Sequence, residues 1–512
     1  MTLPGHGMTM SDLVARHARL RPDAAALVDA RARRTYGELD GRVRRAAAVL
    51  AAHGVRAGDR VAVLGLNGIE VVECWLAALR LGAIVVPVNF RLVAREIAYV
   101  LRDSGARAVI ADPALAPAVA EARGSAPSVS YALTLGGDYE AALAAAPEAG
   151  LERGAREARD EDPAFIMYTS GTTGAPKGAV LTHRNLLLHA FSSMATQGTT
   201  QPYEVSMSTA PLFHIAGLST LLPPLLVGGT NVIPPSGGFD PAATVRTLVD
   251  EGVTSCFMIP AQWQAVCALP ELGGHDLTRL RRISWGAAPA ATPLLETMIR
   301  TFPQADVCSA FGQTECSPVT TLLRGPDALR KIGSVGTPLL NVEVRVVDDE
   351  MNDVPRGEVG EIVYRSPMVM KEYWNRPEET AEAFRGGWFH SGDLVRQDEE
   401  GYFYVLDRKK DMIISGGENI YCAEVENALL AHPKVAEAAV VGVPDPKWGE
   451  TPLAVIVPRD PAEPPAAAEI ETFSRAHLAA YKRPRHVRIV DALPRNPGGK
   501  VMKAQLRDRY AT

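Results

Sequence analysis

The segment 168–178 combines the residue types that hold a polyanion. It opens directly after an apolar run and contains Thr169, Ser170, Gly171, Thr172, Thr173, Gly174 and Lys177. Glycines let backbone N–H groups converge, hydroxyl groups add donors, and the lysine adds a positive charge. The segment is not a Walker A loop, because Pro176 precedes the lysine and no Ser or Thr follows it. It predicts a phosphate-binding loop; the alternative is an ordinary surface loop.

Further candidate residues stand where apolar, strand-like runs end. The run 256–259 stops at Pro260, the run 282–285 stops at Gly286, and the run 306–310 stops at Phe311. Buried strands that end in Gly- or Pro-rich turns are typical of the carboxyl edge of a parallel α/β sheet, where ligands bind. Together with the edge at Thr169, we expect four such edges to line one crevice.

The elements that must position these residues follow from hydrophobic periodicity. Strands are predicted at 60–64, 83–88 and 108–111, and helices at 69–81 and 94–103. Residues 11–55 are predicted to be helical, with many arginines on an ion-paired, solvated face or, alternatively, on a patch for anionic lipid. Residues 113–163 show no clear periodicity and are expected to cross the surface.

The pattern of apolar and polar residues changes at about residue 340. Short alternating segments predict a β-rich, antiparallel subdomain at about 340–406. The five charges of 407–411 predict an exposed connector that serves as a hinge. The predicted fold class is α/β: a large N-terminal domain (1–406) with parallel-rich sheets, then a small mobile α+β domain (412–512). In the small domain, helices are predicted at 424–431 and 468–480, and strands at 438–443 and 453–457.

Bulk properties limit the class of protein. A chain of 512 residues is too long for one core. Hydrophobic residues at 47% and a net charge of −6 indicate a globular protein and argue against nucleic acid as a general partner. The six scattered cysteines form no CxxC pair and fit a reducing cytoplasm. No signal peptide is predicted, peripheral membrane contact stays open, and either a monomer or a homodimer is compatible with the sequence.

The loop at 169–178 resembles the signature of the adenylate-forming enzymes. This superfamily contains acyl-CoA synthetases, firefly luciferases and peptide-synthetase adenylation domains. Further segments match its motifs in the same order: 211–214, 286–289, 311–315, 391–393, 407–408 and 499–500. The run 407–419 is similar to the fatty-acyl-CoA synthetase branch. Phe311 departs mildly from the family, which usually has tyrosine there.

The resemblance implies ATP, Mg²⁺ and coenzyme A (CoA) as reaction partners. A carboxylate would attack the α-phosphorus of ATP to give acyl-adenylate and pyrophosphate, and the CoA thiolate would then displace AMP. Neither step needs a protein nucleophile, so catalysis is expected to rest on positioning and electrostatics. The expected substrate is a medium- or long-chain fatty acid. The alternatives are a ligase of the same fold that passes the acyl group to an amine or a carrier protein, and a non-catalytic nucleotide-binding protein.

The resemblance also assigns roles to residues. Thr314 would contact the α-phosphate, Glu315 would ligate Mg²⁺, and Lys500 would bridge the substrate carboxylate and the α-phosphate. The remaining expected ATP-site residues are Gly286, Ala287 and Ala288 (the adenine slot), Phe311, Gly312, Gln313, Asp393 and Arg408. Because Lys500 lies far beyond the connector, the small domain must swing about Asp407. The second orientation would bring Ser415, Gly416 and Gly417 to the CoA channel.

The expected acyl pocket comprises His214, Gly217, Leu218, Met258 and Trp285. His214 is also a candidate catalytic residue, and Trp285 either shapes the pocket or packs behind the sheet. Each polar residue has a plain alternative when taken singly. Asp393 fits a turn, His214 a packed core position, and Arg408 or Lys500 an ordinary surface charge. Their joint occurrence in order favours the functional interpretation.

Overall fold

The computed structural model describes residues 8–147, 151, 159–169, 175–198, 204–286, 288, 290, 292–416, 418–495 and 500–510. The chain divides into two compact units. The first comprises Met1–Glu343 with Tyr364–Phe389, and the second comprises Val344–Val363 with His390–Thr512. The division expected at 407–411 is a different boundary and stays a prediction.

The helices and strands have the following bounds. The helices are α1 (Met10–Leu20), α2 (Tyr36–Ala52), α3 (Ile69–Arg80), α4 (Ala94–Ser104), α5 (Ala116–Arg123), α6 (Gly137–Ala145), α7 (His183–Gln197), α8 (Ile215–Val227), α9 (Pro241–Asp250), α10 (Pro260–Cys267), α11 (Thr292–Thr301), α12 (Gly325–Ala328), α13 (Pro377–Ala383), α14 (Cys422–Leu430), α15 (Ala467–His477) and α16 (Lys503–Tyr510). The strands are β1 (Ala25–Asp29), β2 (Arg33–Thr35), β3 (Arg60–Leu64), β4 (Ile84–Pro87), β5 (Ala108–Ala111), β6 (Tyr131–Thr134), β7 (Pro163–Thr169), β8 (Lys177–Thr182), β9 (Val205–Ser208), β10 (Thr230–Ile233), β11 (Ser255–Phe257), β12 (Arg282–Gly286), β13 (Asp306–Gly312), β14 (Val319–Leu323), β15 (Thr337–Pro338), β16 (Glu343–Val347), β17 (Val359–Arg365), β18 (Glu372–Tyr373), β19 (Phe389–Gln397), β20 (Phe403–Arg408), β21 (Ile413–Ser415), β22 (Glu418–Ile420), β23 (Val435–Asp445), β24 (Gly449–Pro458) and β25 (His486–Ile489).

One sheet of the first unit has seven strands in the order β18-β8-β7-β4-β3-β5-β6. β3 pairs in parallel with β4 and β5, whereas β8 pairs antiparallel with β7 and β18. Every residue of β4 and β5 is buried, because helices cover both faces of a parallel sheet. This burial explains why continuous apolar runs predicted these strands correctly, and the α/β fold class is confirmed.

The other sheet of the first unit has nine strands in the order β15-β14-β13-β12-β11-β9-β10-β1-β2. Its strands β11, β12 and β13 are parallel neighbours, so the three predicted runs lie side by side. Thr169 ends β7 in the seven-stranded sheet, and the expectation that the four edges line one crevice stays a prediction. Three edges therefore come from one sheet and the fourth from the other.

Two stretches differ from the sequence prediction. The region 11–55 is not continuously helical, because β1 and β2 separate α1 from α2 and the buried β1 pairs with β10. Within this range Arg44 Nε lies 3.2 Å from Asp40 Oδ2, whereas Arg42 pairs with Glu73, which is fully buried and does not lie on a solvated face. The region 113–163 contains α5, β6 and α6 and does not simply cross the surface. Its few core residues, such as Tyr139 and Leu143, are widely spaced among alanines, which hides the periodicity.

The second unit contains two sheets, with strand orders β16-β17-β19-β20 and β22-β21-β24-β23, and β25 pairs with β24. Successive residues Val440 and Val441 of β23 belong to different cores. One core includes Val425 of α14 and Ile470 of α15, whereas the other includes Leu506 of α16. Helices therefore cover both faces of this sheet, and α16 is an element that the sequence did not predict.

The connector 407–411 is not uniformly exposed, contrary to prediction. Asp407 belongs to β20 and only 6% of it is accessible to solvent. Its carboxylate accepts hydrogen bonds from the backbone N–H groups of Arg408 and Cys422. These two donors explain why a charged residue is buried here.

Candidate active site

The predicted phosphate loop closes the hairpin between β7 and β8. Thr169 and Lys177 are paired across this hairpin, and the Thr169 hydroxyl donates to the carbonyl oxygen of Lys177 at 3.4 Å. The loop residues Ser170, Gly171, Thr172, Thr173 and Gly174 lie outside the described residues. The hairpin thus places the predicted lysine and the first predicted threonine at the two ends of the loop.

A cluster of side chains from other elements holds the two ends of this loop. Tyr99 of α4 donates its hydroxyl to the carbonyl oxygen of Pro176 at 2.9 Å. Tyr168 donates its hydroxyl to Asp103 at 2.7 Å, and the same carboxylate accepts a hydrogen bond from Arg376 at 2.7 Å. These contacts therefore fix the residues at both ends of the loop, Tyr168 and Pro176.

Glu315, Tyr373 and Lys177 come together although they are far apart in sequence. Glu315 lies in a short 3₁₀ turn, Thr314–Cys316, directly after β13. Tyr373 lies in β18, beside β8, and its hydroxyl donates to Glu315 Oε1 at 2.9 Å. The ammonium nitrogen of Lys177 is 5.2 Å from the centre of the Tyr373 ring, within cation–π distance. The backbone N–H of Met370 also donates to the carbonyl oxygen of Glu315 at 2.6 Å.

This arrangement fits a magnesium ion that is bound together with phosphates. Glu315 is only 8% exposed and one of its carboxylate oxygens is oriented by a neutral hydroxyl. No group of three or more His, Cys, Asp or Glu side chains among the described residues has the geometry of a metal site. Mg²⁺ commonly takes one or two protein carboxylates and completes its shell with water and phosphate oxygens. A single oriented carboxylate beside a phosphate loop is compatible with that mode.

The residues expected around adenine lie at the ends of two neighbouring strands. Gly286 of β12 pairs with Ala310 of β13, so that Phe311 follows directly beside it. Gly312 has φ of 154°, and a Cβ atom there would collide with the carbonyl oxygen of Pro318. Only glycine therefore suits this turn. Ala288 is exposed and Ala287 lies outside the described residues.

Gln313 and Thr314 continue from this turn towards Glu315. Both are partly buried. The side-chain nitrogen of Gln313 is buried and has no hydrogen-bond partner in the part of the chain that the structure describes. The motif 311–315 is thus held together as one turn, with Glu315 at its buried end.

The nine-stranded sheet has one closed face and one partly open face near its carboxyl edge. Met258 and Trp285 are 0% and 4% exposed and pack in a core with residues of α9, α10 and α11. For Trp285 this position matches the alternative in which the side chain packs behind the sheet. Leu218 of α8 is also 0% exposed. These three side chains have almost no accessible surface in this structure, and their part in an acyl pocket stays a prediction.

The open face presents a different set of side chains. Ser208, Phe257 and Ser284 lie at matched positions on the parallel strands β9, β11 and β12, and all three are partly exposed. Successive strand residues alternate between faces, which is why Ser284 lies opposite the face that holds Trp285. Sequence reasoning missed this row because it weighed the bulky apolar residues of the same strands.

His214 and Gly217 shape the start of α8. His214 is the N-cap of the helix, and its Nδ1 accepts a hydrogen bond from the backbone N–H of Ala216 at 3.2 Å. The side chain is partly buried. Gly217 is buried, and a Cβ atom there would collide with the carbonyl oxygen of Pro211. The glycine therefore allows a close backbone approach at this helix start.

In the second unit, Asp393 is paired with Arg408. The two residues face each other across β19 and β20, and Arg408 Nε lies 2.7 Å from Asp393 Oδ1. Asp393 is 5% exposed. Glu361 supports the same turn, because its carboxylate accepts a hydrogen bond from the backbone N–H of Gly392 at 2.9 Å. Asp393 and Arg408, both expected in the ATP site, therefore form one ion pair.

The other predicted residues of the second unit lie around the small sheet. Ser415 is buried at the end of β21. The backbone N–H of Gly416 donates to the carbonyl oxygen of Trp448 at 2.8 Å. Gly417 lies outside the described residues, whereas Lys500 is described and exposed. Burial raises the pKa of the Asp407 carboxyl above its usual value, and the nearby ammonium group of Lys503 opposes this shift.

Comparison with known proteins identifies the family of the chain. The chain matches the AMP-binding enzyme family over residues 14–374 and the AMP-binding enzyme C-terminal domain over residues 424–500. The protein belongs to this family of adenylate-forming enzymes, and the resemblance seen in the sequence is confirmed. Within the family it is an acyl- or aryl-CoA ligase of the AMP-forming class, for which ATP, Mg²⁺ and CoA are the reaction partners.

Individual relatives cover nearly the whole chain. Feruloyl-CoA synthase from Amycolatopsis sp is 41% identical and covers 97% of this chain and 98% of its own. Long-chain-fatty-acid–CoA ligase FadD13 from Mycobacterium tuberculosis is 39% identical and covers 94% and 93%. The structure of o-succinylbenzoate CoA synthetase from Bacillus subtilis, solved with its acyl-adenylate intermediate, superposes with a TM-score of 0.87 at 34% identity and covers 97% and 98%.

The structure adds residues that sequence reasoning did not select. Tyr373, Tyr99, Asp103 and Arg376 orient Glu315 or hold the base of the phosphate loop. Two of these contacts join residues that are more than 200 positions apart. No local pattern marks them, since they meet through the pairing of β18 with β8. No helix among the described residues is long and apolar enough to cross a membrane.

Proposed function

We propose that the protein joins a carboxylic acid to CoA through an acyl-adenylate, with Lys177, Glu315 and Lys500 as its main charged groups. The observation that carries this proposal is the contact of Tyr373 with both Glu315 and Lys177. It brings an oriented carboxylate and a cation to the base of one Gly/Thr-rich loop. Such a pair suits the triphosphate of ATP with its magnesium ion.

In the first step, a carboxylate oxygen of the acid forms a bond to the α-phosphorus while the bond to pyrophosphate breaks. Lys177 balances negative charge on the β- and γ-phosphates, and Thr314 donates its hydroxyl to the α-phosphate. Glu315 would hold Mg²⁺, which would supply further positive charge to the phosphate oxygens. Lys500 balances the charge that grows between the carboxylate and the α-phosphate.

In the second step, the thiolate of CoA attacks the acyl carbonyl and the bond to AMP breaks. The backbone of Ser415 and Gly416 would line the path of CoA after the small domain turns about Asp407. Asp393 would accept hydrogen bonds from the ribose hydroxyls while Arg408 holds its carboxylate in place. These roles call for positioning and fixed charges and need no protein nucleophile.

For the acid, the row Ser208–Phe257–Ser284 favours an aromatic acid with polar substituents. An aromatic ring pairs well with the Phe257 ring, and the flanking hydroxyl groups suit polar substituents better than bare methylene groups. The named substrates of feruloyl-CoA synthase and o-succinylbenzoate CoA synthetase belong to this class. A medium- or long-chain fatty acid is the second candidate, because FadD13 is 39% identical and is named for fatty acids.

Product analysis tests the reaction class. The purified protein is incubated with ATP, Mg²⁺ and a panel of aromatic and C2 to C18 acids, with and without CoA. We expect AMP, pyrophosphate and an acyl-CoA thioester. Formation of ADP and phosphate would contradict adenylation. Formation of AMP without any thioester would favour the alternative ligase, which passes the acyl group to an amine or a carrier protein.

A pair of matched variants tests the acid class. Phe257→Leu alters the open face of the nine-stranded sheet, whereas Ile283→Val alters the closed face of the adjacent strand. We expect Phe257→Leu to change the ratio of kcat/KM values for aromatic and aliphatic acids about 10-fold, because pocket contacts are worth about 1–3 kcal/mol each. Ile283→Val should leave that ratio unchanged. If Phe257→Leu also keeps the wild-type ratio of kcat/KM values for aromatic and aliphatic acids, the open face does not contact the acid.

A further inference from the structure

The C-terminal helix α16 presents two cations to the hinge region of the second unit. Lys503 Nζ lies 2.7 Å from Glu426 Oε1, and Arg507 Nη2 lies 2.8 Å from Asp411 Oδ1. Arg507 also donates to the carbonyl oxygen of Lys410 at 3.1 Å. Residues four positions apart share one face of a helix. The helix is thus attached to the segment 407–411 and to α14 along a single face.

Lys503 lies in a setting where the loss of its charge would be costly. Its side chain is 17% exposed and that of Glu426 is 18% exposed. Burial lowers the pKa of Lys503, but Cys422, Glu426 and Asp407 act against this and raise it above its usual value. Lys503 is therefore a charged group among largely buried acidic partners. Removal of one member of such a cluster leaves the others without compensation.

The partners of Lys503 are themselves fixed to the sheet and the hinge. Glu426 accepts a hydrogen bond from the backbone N–H of Val440 at 2.7 Å. Asp407 accepts hydrogen bonds from the backbone N–H groups of Arg408 and Cys422. Lys503 is therefore held by groups that cannot move independently of β20, α14 and β23. Apart from the hinge role of Asp407, no part of the proposed chemistry assigns a role to this cluster.

Lys500 lies three residues before the start of α16, at Lys503. Val501 forms an antiparallel bridge with Arg495, and the backbone N–H of Met502 donates to the carbonyl oxygen of Pro494 at 2.8 Å. Leu506 of α16 is 1% exposed and packs in the core beneath the sheet. Lys500 thus stands next to a segment that is held by Pro494 and Arg495 and that continues directly into α16.

We propose that Lys503 and Arg507 are positioning residues, which seat α16 on the hinge segment and thereby fix the place of Lys500 relative to Asp407. This inference rests on the proposed function, in which Lys500 acts in adenylation and Asp407 is the hinge. It predicts a selective defect. Lys500 contributes to the first step only, so loosening of α16 slows acyl-adenylate formation and leaves the attack of CoA on a ready-made acyl-adenylate intact.

The test compares Lys503→Met with two controls in the full-length protein. Lys503→Arg keeps the charge, and Arg509→Met removes a cation from the exposed side of the same helix. Acyl-adenylate formation is measured by single-turnover release of pyrophosphate, and thioester formation is measured from preformed acyl-adenylate and CoA. We expect Lys503→Met to slow the first reaction about 10- to 100-fold, since misplacement by about 1 Å can have that effect. The rate of the second reaction should stay within about 2-fold of wild type, because Lys500 acts only in the first step.

Each control has a defined outcome. Lys503→Arg should recover most of the first reaction, and Arg509→Met should match wild type in both reactions. An equal fall in both reactions for Lys503→Met, or no fall in either, would overturn the proposal. If Lys503→Met does not fold, as judged by circular dichroism, Arg507→Gln replaces it and must show the same selective defect. Failure of the wild-type protein to form acyl-adenylate would instead contradict the proposed function, so the two failures are distinguishable.

Discussion

Glu315 in the first unit and Asp393 in the second are both nearly buried, but their carboxylates are held in opposite ways. In the first unit, Glu315 is 8% exposed and accepts a hydrogen bond from the neutral hydroxyl of Tyr373. In the second unit, Asp393 is 5% exposed and forms an ion pair with Arg408. A neutral donor orients a carboxylate without cancelling its charge, whereas a guanidinium group does both. The difference suits one carboxylate to a metal ion and the other to neutral hydroxyl groups.

The same contrast extends to the neighbours of each carboxylate. Lys177 contacts the ring of Tyr373, and the hydroxyl of the same tyrosine contacts Glu315. The cation and the carboxylate therefore share one aromatic neighbour. In the second unit, Glu361 contacts both His390 and Lys409 and fixes the backbone beside Asp393. The charges of Lys177 and Glu315 are therefore held separately, as we expect of a site for a polyanion. The charges around Asp393 are paired and hold the turn beside it.

The strongest test of this contrast removes the exposed cation that the second unit would supply. We expect Lys500→Ala to slow acyl-adenylate formation about 1,000-fold, because it removes a preorganised charge from the reacting groups. Thioester formation from preformed acyl-adenylate should stay close to the wild-type rate. Both half-reactions are measured separately, with Lys447→Ala as a control for loss of a lysine elsewhere in the second unit. An equal loss in both halves would contradict the assignment of Lys500 to a single step.

The next test removes the charge of Glu315 but keeps its shape. Glu315→Gln should slow adenylation at least about 100-fold, comparable to the loss of a major electrostatic stabiliser. The variant should also need more Mg²⁺ for half-maximal rate. The control is Glu372→Gln, which removes the charge of a glutamate that directly precedes Tyr373 in β18. A rate near wild type with unchanged dependence on Mg²⁺ would remove Glu315 from the metal site.

Sequence reasoning found what local patterns encode. The strand at 60–64 was predicted from the apolar run 61–64, and the strand at 306–310 from a short run that stops at Phe311; the central residues of both are buried in the structure. The motif residues Glu315, Asp393 and Lys500 were selected because their order along the chain matches a known family. Their roles remain proposals, since the structure describes their positions and not their action.

What the sequence did not reveal depends on contacts between distant segments. Tyr373 reaches Glu315 only because β18 pairs with β8. The helix α16 was missed because Leu506 is its one fully buried residue and the rest of it is polar. Asp407 was expected to be exposed, as charged residues usually are, and the backbone donors that permit its burial cannot be seen in a sequence. In each case a tertiary contact outweighed the local pattern.

A smaller effect is expected from the ion pair of the second unit. Arg408→Met would leave the nearly buried Asp393 without its guanidinium partner. Hydrogen bonds to charged groups contribute about 1.5–3 kcal/mol, so we expect kcat/KM for ATP to fall about 20-fold. Arg396→Met, on the same strand as Asp393 and facing Tyr404, is the matched control. If ATP use is unaffected while the control behaves like wild type, Arg408 does not support the nucleotide site.

The smallest expected effect comes from the hydroxyl group that orients Glu315. Tyr373→Phe removes this donor and keeps the aromatic ring on which Lys177 lies. Hydrogen bonds to charged groups contribute about 1.5–3 kcal/mol, but Glu315 keeps its charge, so we expect only part of this to be lost and adenylation to slow by about 5- to 10-fold. The Mg²⁺ concentration for half-maximal rate should rise in parallel, because the carboxylate loses its fixed orientation while it keeps its charge. Tyr404→Phe removes a hydroxyl that contacts Asp398 in the second unit and should change neither quantity. A slower rate with an unchanged Mg²⁺ requirement would show that Tyr373 acts through Lys177 or the loop. The contrast between a hydroxyl-oriented and a cation-paired carboxylate would then no longer explain the metal site.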